Sequence, residues 1–383
     1  MERPFLSVIV PAFNGVKVLP EALGALAASD LPRSLWELIV VDDSSTDQTA
    51  EVAASFADRI VRLQWQPHGP SFARNRGAEV ARGEVLVFID ADVCVHPSAL
   101  RRFAWLFATN PTVDAAFGSY DEHPTAGGFV SEYRNLLHHY HHQRHAGDAE
   151  TFWAGCGAIR RSAFLDVGMY NEWHFSRPQI EDIELGHRLN DAGYRVVLRP
   201  EIQCTHLKRW RFRDVVRTDL TDRGVPWTML LLRRGASRGT STLNLRPIEK
   251  INTALVGGAA VLLLVAGVFR LGWLAAVGGA LLVPVVATNW PLYRFFARVR
   301  GLAFTVGVLP FNLLYYLLNC LSASLGWLRY HLVGEPAPRP HVQALAEIGH
   351  LQWPPVPRGA PPSLERRGDS PPKQVTSRVR GNR

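Results

Sequence analysis

Cysteine is scarce in this sequence: Cys94, Cys156, Cys204 and Cys320 are the only four in 383 residues, and they show no paired spacing. That excludes a disulfide framework and a cysteine zinc site, and it fits a reducing compartment. A leader is not expected either. Met1 runs almost directly into an apolar strand pattern, so no signal peptide is expected and the N-terminal domain is expected in the cytoplasm. A dinucleotide loop is absent: Gly155 and Gly157 have no third glycine, and Arg160-Arg161 follow. No internal repeat is present.

What is there begins with alternating strand and helix patterns. Leu6 to Asn14 is an apolar run ending in Pro11 and a turn-forming Asn-Gly pair. Leu19, Leu23 and Leu26 recur at helical spacing. A second run, Leu38 to Val41, stops at Asp42-Asp43-Ser44-Ser45-Thr46-Asp47, and Val52, Phe56 and Ile60 carry the next helical stripe. A third run, Val85 to Ile89, stops at Asp90-Ala91-Asp92. This repetition predicts an α/β domain with a largely parallel sheet and functional groups at strand ends. Two carboxylates one residue apart can share a divalent cation, which in turn can clamp a diphosphate. Taken singly, each acidic group also serves as a helix cap or a turn residue.

The order of these motifs resembles membrane-anchored, bacterial-type family 2 glycosyltransferases with the GT-A fold. The resemblance covers about residues 5–210 and rests on Leu6 to Asn14, Val41 to Asp47, Ala73-Arg74-Asn75-Arg76-Gly77, Asp90-Ala91-Asp92, the segments at Gly155 to Arg161 and Gly168 to Glu172, and Glu181-Asp182-Ile183-Glu184. It implies a nucleotide diphospho-sugar donor, an inverting single displacement and a divalent cation, Mg²⁺ or Mn²⁺. Donor binding would fall to Pro11, Asp42 or Asp43 at the nucleobase, Arg74 on the turn before the third strand, and Asp90. Metal binding would fall to Asp90 and Asp92. Asp182 would be the general base, and its place at a helix N-terminus favours the ionised carboxylate. Gly157 and Glu181 would lie on the acceptor side.

His206-Leu207-Lys208-Arg209-Trp210 resembles the Gln-x-x-Arg-Trp motif of processive synthases, with His in place of Gln. By that resemblance Arg209 and Trp210 would close over acceptor or diphosphate, and His206 would be a third metal ligand. The run His138 to His145 reads as a solvated or acceptor-facing helix rather than a metal cluster.

Beyond residue 250 the chemistry changes. Ile251–Phe269, 271–293 and 301–328 are uncharged apolar stretches of 19, 23 and 28 residues, which predict two to three transmembrane segments. An outward first segment and a returning second would leave Arg294, Arg298 and Arg300 in the cytoplasm. From Lys208 to Arg246, ten Lys or Arg face three Asp, a difference of +7, with aromatic residues interleaved. Residues 211–250 are thus expected to lie on an anionic lipid surface, in preference to nucleic acid. Residues 331–383, rich in Pro and Arg, are expected to be disordered. The expected protein is a multi-pass glycosyltransferase of the cytoplasmic membrane with a catalytic domain over 1–210, acting on a lipid-linked or surface-glycan acceptor. A processive polysaccharide synthase and an inactive membrane scaffold with the same fold are the alternatives.

Overall fold

Alternation along the strands decides how the sheet is clothed. Val8, Val10, Val85, Val87 and Ile89 point to one face and join one apolar cluster, while Ile9, Leu86 and Phe88 point to the other and join a second. Strands buried on both faces need helices on both, and the chain supplies them. The computed structural model describes residues 4–235 and 246–334. In chain order its elements are β1 (Leu6–Ala12), α1 (Leu19–Ala27), β2 (Trp36–Asp42), α2 (Thr49–Ala54), β3 (Arg59–Arg62), α3 (Pro70–Val80), β4 (Val85–Ile89), β5 (Val93–Val95), α4 (Ala99–Thr109), β6 (Ala115–Tyr120) and α5 (Phe129–Arg144). Then follow β7 (Gly147–Asp148), β8 (Cys156–Arg160), α6 (Arg161–Asp166), α7 (Glu181–Asp191), β9 (Val196–His206), α8 (Phe212–Arg217), a π-helical turn (Thr218–Gly224) and α9 (Val225–Arg234). Four helices complete the described residues: α10 (Pro247–Phe269), α11 (Gly272–Thr288), α12 (Trp290–Arg300) and α13 (Leu302–Leu332).

The sheet runs β3-β2-β1-β4-β8-β6-β9-β5, with β7 paired to β9. Its first four strands are parallel, as expected. The second half is mixed: β4–β8, β8–β6 and β9–β5 are antiparallel, and β6–β9 is parallel. Leu19, Leu23 and Leu26 of α1 and Leu100, Phe103 and Phe107 of α4 cover one face; Ala73 of α3, Phe164 of α6 and Leu185 and Leu189 of α7 cover the other. Strand β3, over Arg59–Arg62, was not anticipated, because two arginines flank its only two apolar residues.

Two helices, α10 and α13, are long and apolar enough to cross a membrane. The expected second span, 271–293, is instead two helices: α11 stops at Thr288, and α12 leaves at 63°. Pro291 in the first turn and the Asn289 side chain, whose amide donates to the Val285 carbonyl, mark the elbow. Helix α12 is amphipathic and packs Leu292, Tyr293, Phe295 and Phe296 against Tyr133, Leu136 and Leu137 of α5. Arg300 adds an ion pair to Glu132 at 2.7 Å. Each buried apolar side chain contributes about 1.5–3 kcal/mol and a part-exposed ion pair at most about 1 kcal/mol, so the apolar contact holds α12 in place. Within the helical region, the Tyr316 hydroxyl of α13 lies 2.8 Å from the Glu249 carboxylate and 3.2 Å from Asn289 Oδ1, and Asn252 donates to it at 3.3 Å.

The segment expected to lie on lipid is helical over 212–234 and docks on its own chain. Thr228 and Val225 meet Gly326 of α13, and Arg234 pairs with Asp191 at 2.7 Å. Residues 236–245 of that segment, and the tail from residue 335, lie outside the described residues. All four cysteines are free thiols.

Candidate active site

The carboxyl ends of β1, β2 and β4 open into a cleft of about 720 Å³. A loop pair frames its first wall. Asn14 accepts from the Thr46 backbone N–H at 2.8 Å, and Thr49 Oγ1 accepts from the Gly15 N–H at 2.8 Å. Within Asp42 to Asp47 the acidic groups divide their work. Asp42 accepts from the Ser45 N–H and stays outside the cleft lining, and Asp47 binds Thr49 and the Val16 N–H. Asp43 alone faces the cleft, beside Pro11, and accepts from the N–H groups of His68 and Gly69 at 2.9 and 2.8 Å. Burial raises its pKa against the pull of those two donors.

Arg74 stands in the second turn of α3, not on a turn, because the third strand in sequence is β3 and α3 follows it. Its buried guanidinium bridges two carboxylates, Asp90 at 2.7 Å and Glu181 at 3.1 Å, over the face of Tyr170. Burial disfavours its charge, yet Asp90, Tyr170 and Glu181 hold it firmly protonated. Glu181 also accepts from the Gln179 N–H at 2.8 Å.

The three expected metal ligands separate into a pair and a single. His206 Nε2 lies 3.4 Å from Asp92 Oδ2, its Nδ1 lies 3.1 Å from Asn135 Oδ1, and its ring stacks on Tyr120. Asp90 is engaged by Arg74 instead, and no group of three His, Cys, Asp or Glu in a metal-binding arrangement occurs among the described residues. Burial disfavours the Asp92 charge, but His206 and Lys208 hold the carboxylate below the ordinary range. One carboxylate and one imidazole on the cleft wall fit a cation that draws its remaining ligands from substrate phosphates.

Asp182, the second residue of α7, lines the cleft and accepts from the Ala154 and Ile183 N–H groups at 3.3 and 2.8 Å. The helix N-terminus was expected to favour its charge. Desolvation and the adjacent Glu181 outweigh that effect and push it up to about 6.

Two expected residues lie elsewhere. Gly157 sits inside β8, where an added Cβ would come within 2.4 Å of the Phe152 ring and the Trp153 carbonyl; it seats those two residues rather than facing the acceptor. Arg209 is exposed and outside the cleft lining, whereas Trp210 is in it, under Lys208. The histidines of α5 turn inward rather than to solvent. His139 and His142 bond the Tyr120 and Gly118 carbonyls, and His138 packs between Tyr120 and Trp153. Burial keeps His138 and His142 neutral, the latter at about 4. Tyr120, Trp153, Arg134 and Arg223 also line the cleft and were missed. Arg223 alone had a sequence signal, as one charge in the basic segment.

Residues 7–168 match the family described as Glycosyl transferase family 2. Among curated proteins, the chain is 35% identical over 99 residues to poly(ribitol-phosphate) beta-N-acetylglucosaminyltransferase TarS of Staphylococcus aureus, a match that covers 25% of the chain and 17% of that protein. It is 26% identical over 210 residues to glycosyltransferase AglE of Haloferax volcanii, 54% of the chain and 68% of the relative. The chain therefore spans well under a fifth of TarS and about two thirds of AglE. Among solved structures, a mannosyltransferase from Pyrobaculum calidifontis, in complex with GDP-Man and Mn²⁺, superposes with a TM-score of 0.55 at 19% identity over 85% of this chain and 88% of that one.

Proposed function

Residues 7–168 belong to glycosyl transferase family 2 within a GT-A fold, and on that premise we propose that this chain moves one sugar, with inversion, from a nucleotide diphospho-sugar to a hydroxyl of a lipid-linked or surface-glycan acceptor at the cytoplasmic face of a membrane. The observation that carries the reading is a single cleft in which Asp43, Asp90, Asp92 and Asp182 meet from the ends of three different elements.

The geometry supports a role for each residue. Asp43, fixed by two backbone N–H groups beside Pro11, receives the nucleobase. Arg74 neutralises Asp90 and Glu181, so the donor's diphosphate meets fewer bare negative charges. Asp92 and His206 would hold Mg²⁺ or Mn²⁺, which when bound stabilises charge on the departing diphosphate. Asp182 takes the acceptor proton as the acceptor oxygen bonds to the anomeric carbon. The bond from that carbon to the diphosphate breaks, and the diphosphate leaves with the electron pair. A carboxylate whose pKa is about 6 is ionised at neutral pH yet more basic than an exposed one, which suits the role.

The membrane assignment draws on α10, α13 and the bent pair α11–α12. Arg300, at the end of α12, pairs with Glu132 of the catalytic region, so the two share one side, in keeping with the positive-inside rule. A surface-glycan acceptor is in keeping with the poly(ribitol-phosphate) in the name of one relative. Processive synthesis draws support from Trp210 in the cleft wall and loses it from Arg209, which lies outside. Calorimetric titration of UDP, GDP, dTDP and CDP, with and without Mn²⁺, tests the reading. One nucleotide should bind in a metal-dependent way and lose that dependence in Asp92→Ala; no binding of any of the four overturns it.

A further inference from the structure

Behind the donor cleft lies a second cavity of about 190 Å³, and Asp182 lines both. Its far wall is Tyr315 and Asn319 of α13, one of the two helices long enough to cross a membrane. Drug-sized ligands occupy about 300–1,000 Å³, so this space suits a head group and not a long chain. Two of its polar atoms, the Trp227 Nε1–H and His138 Nδ1, are buried without a partner. Arg223, at the junction of the two cavities, enters no salt bridge among the described residues, and its charge lowers the pKa of Asp182. Arg134, by contrast, is spent on Asp219 at 2.5 and 2.9 Å.

Arg223 is also placed with unusual care. It lies on the π-helical turn Thr218–Gly224, and π-turns recur where a side chain must be re-aimed at a functional site. An added Cβ at Gly224 would come within 2.3 Å of Ser322 Oγ, so the turn is pressed directly onto α13.

We propose that this second cavity is the acceptor subsite and that it takes an amphiphile with a phosphate-bearing head. Arg223 binds the phosphate, because a guanidinium is matched to phosphate oxygens in charge and shape. The Trp227 N–H donates to a head-group oxygen. The acceptor hydroxyl then reaches Asp182 from the side opposite the donor, and the apolar chain leaves along α13 past Tyr315 and Asn319. This deepens the proposed function and rests on Asp182 being its base.

The test is calorimetry on the full chain in detergent with three probes: octyl phosphate, octanol and inorganic phosphate. Octyl phosphate should bind at least about tenfold more tightly than either of the others, and Arg223→Gln should weaken it by about tenfold, as expected for a charged hydrogen bond. Trp227→Phe, which keeps the ring and removes the donor, should weaken it by a smaller factor and decides the matter if Arg223→Gln misfolds. Nucleoside diphosphate binding should be unchanged in Trp227→Phe, because Trp227 lines the second cavity and not the donor cleft. Inorganic phosphate as tight as octyl phosphate would make this a free-phosphate site and overturn the proposal. So would octanol as tight as octyl phosphate, or binding indifferent to both substitutions. Failure of every nucleotide to bind the wild-type chain would sink the donor reading separately, since the octyl phosphate titration needs no nucleotide.

Discussion

The two halves of the cleft are built in opposite ways. The donor side comes mostly from strand ends close in sequence: Pro11, Asp43, Asp90 and Asp92 fall within the first quarter of the chain, on the parallel half of the sheet, and His206 joins them from the end of β9. The acceptor side is gathered from α5, the loop before β8, the start of α7, the π-turn and α13, which span residues 129 to 332. A parallel α/β sheet makes a site as a by-product of its topology. The acceptor side exists only once distant segments have packed, so it should be the more fragile half and the more specific one.

The sharpest test of that division is Asp182→Asn. Loss of a general base should lower kcat by about 10²–10⁴-fold while nucleotide affinity stays put; an equal loss of both would mean the halves are not separable. Arg74→Ala should break the division from the other direction, because Arg74 ties donor-side Asp90 to Glu181 beside the base. Removing one partner from a buried charge cluster should cost about 3–5 kcal/mol, read as a lower thermal midpoint, and Arg74→Lys should recover little, since one ammonium cannot span two carboxylates. The pH dependence separates the halves more gently. Asp182 works deprotonated, so kcat/KM should rise through about pH 6 and level off above it. Asp92, held below the ordinary carboxylate pKa, should add no titration of its own over that range. Gly186→Ala presses α7 onto the loop before β8, where a new Cβ would lie 2.2 Å from the Phe152 nitrogen. It should cost about 1–3 kcal/mol by overpacking, and kcat should fall more than nucleotide affinity does. The smallest effect is expected for Arg300→Ala, below about 1 kcal/mol in unfolding experiments, because apolar packing holds α12.

Legibility in the sequence followed the same line. Leu6 to Ala12 and Val85 to Ile89 could be placed as buried strands because one apolar run states a strand; the Asn-Gly turn after the first and the acidic end of the second mark where each leaves the sheet. Asp43 could not be told from Asp42, since the two are adjacent at the end of β2; the His68 and Gly69 amides distinguish them. The helix-dipole argument for Asp182 named a real effect and missed the larger one, burial beside Glu181, which no local pattern reveals. The histidines of α5 read as a solvated or acceptor-facing face; they are covered, because Tyr120 and Trp153 come to them from other elements, and His138 lines the cleft. Residues 271–293 read as one span because apolar composition is blind to the elbow at Asn289.

The hydroxyl of Tyr316, set among Glu249, Asn252 and Asn289, has a consequence for how the chain is made. Synthesis delivers α10 and α11 first, and with them a carboxyl and two amides that have no business in apolar surroundings. Each unmet group there costs several kcal/mol. Thr288 and the Val285 carbonyl already engage the two amides in part, and α13 completes the set in a single register, since a slide of one turn would carry the hydroxyl away from all three. The helical region thus has its own proofreading: a chain that stops early, or a helix that enters out of step, is left with exposed polarity that marks it as unfinished.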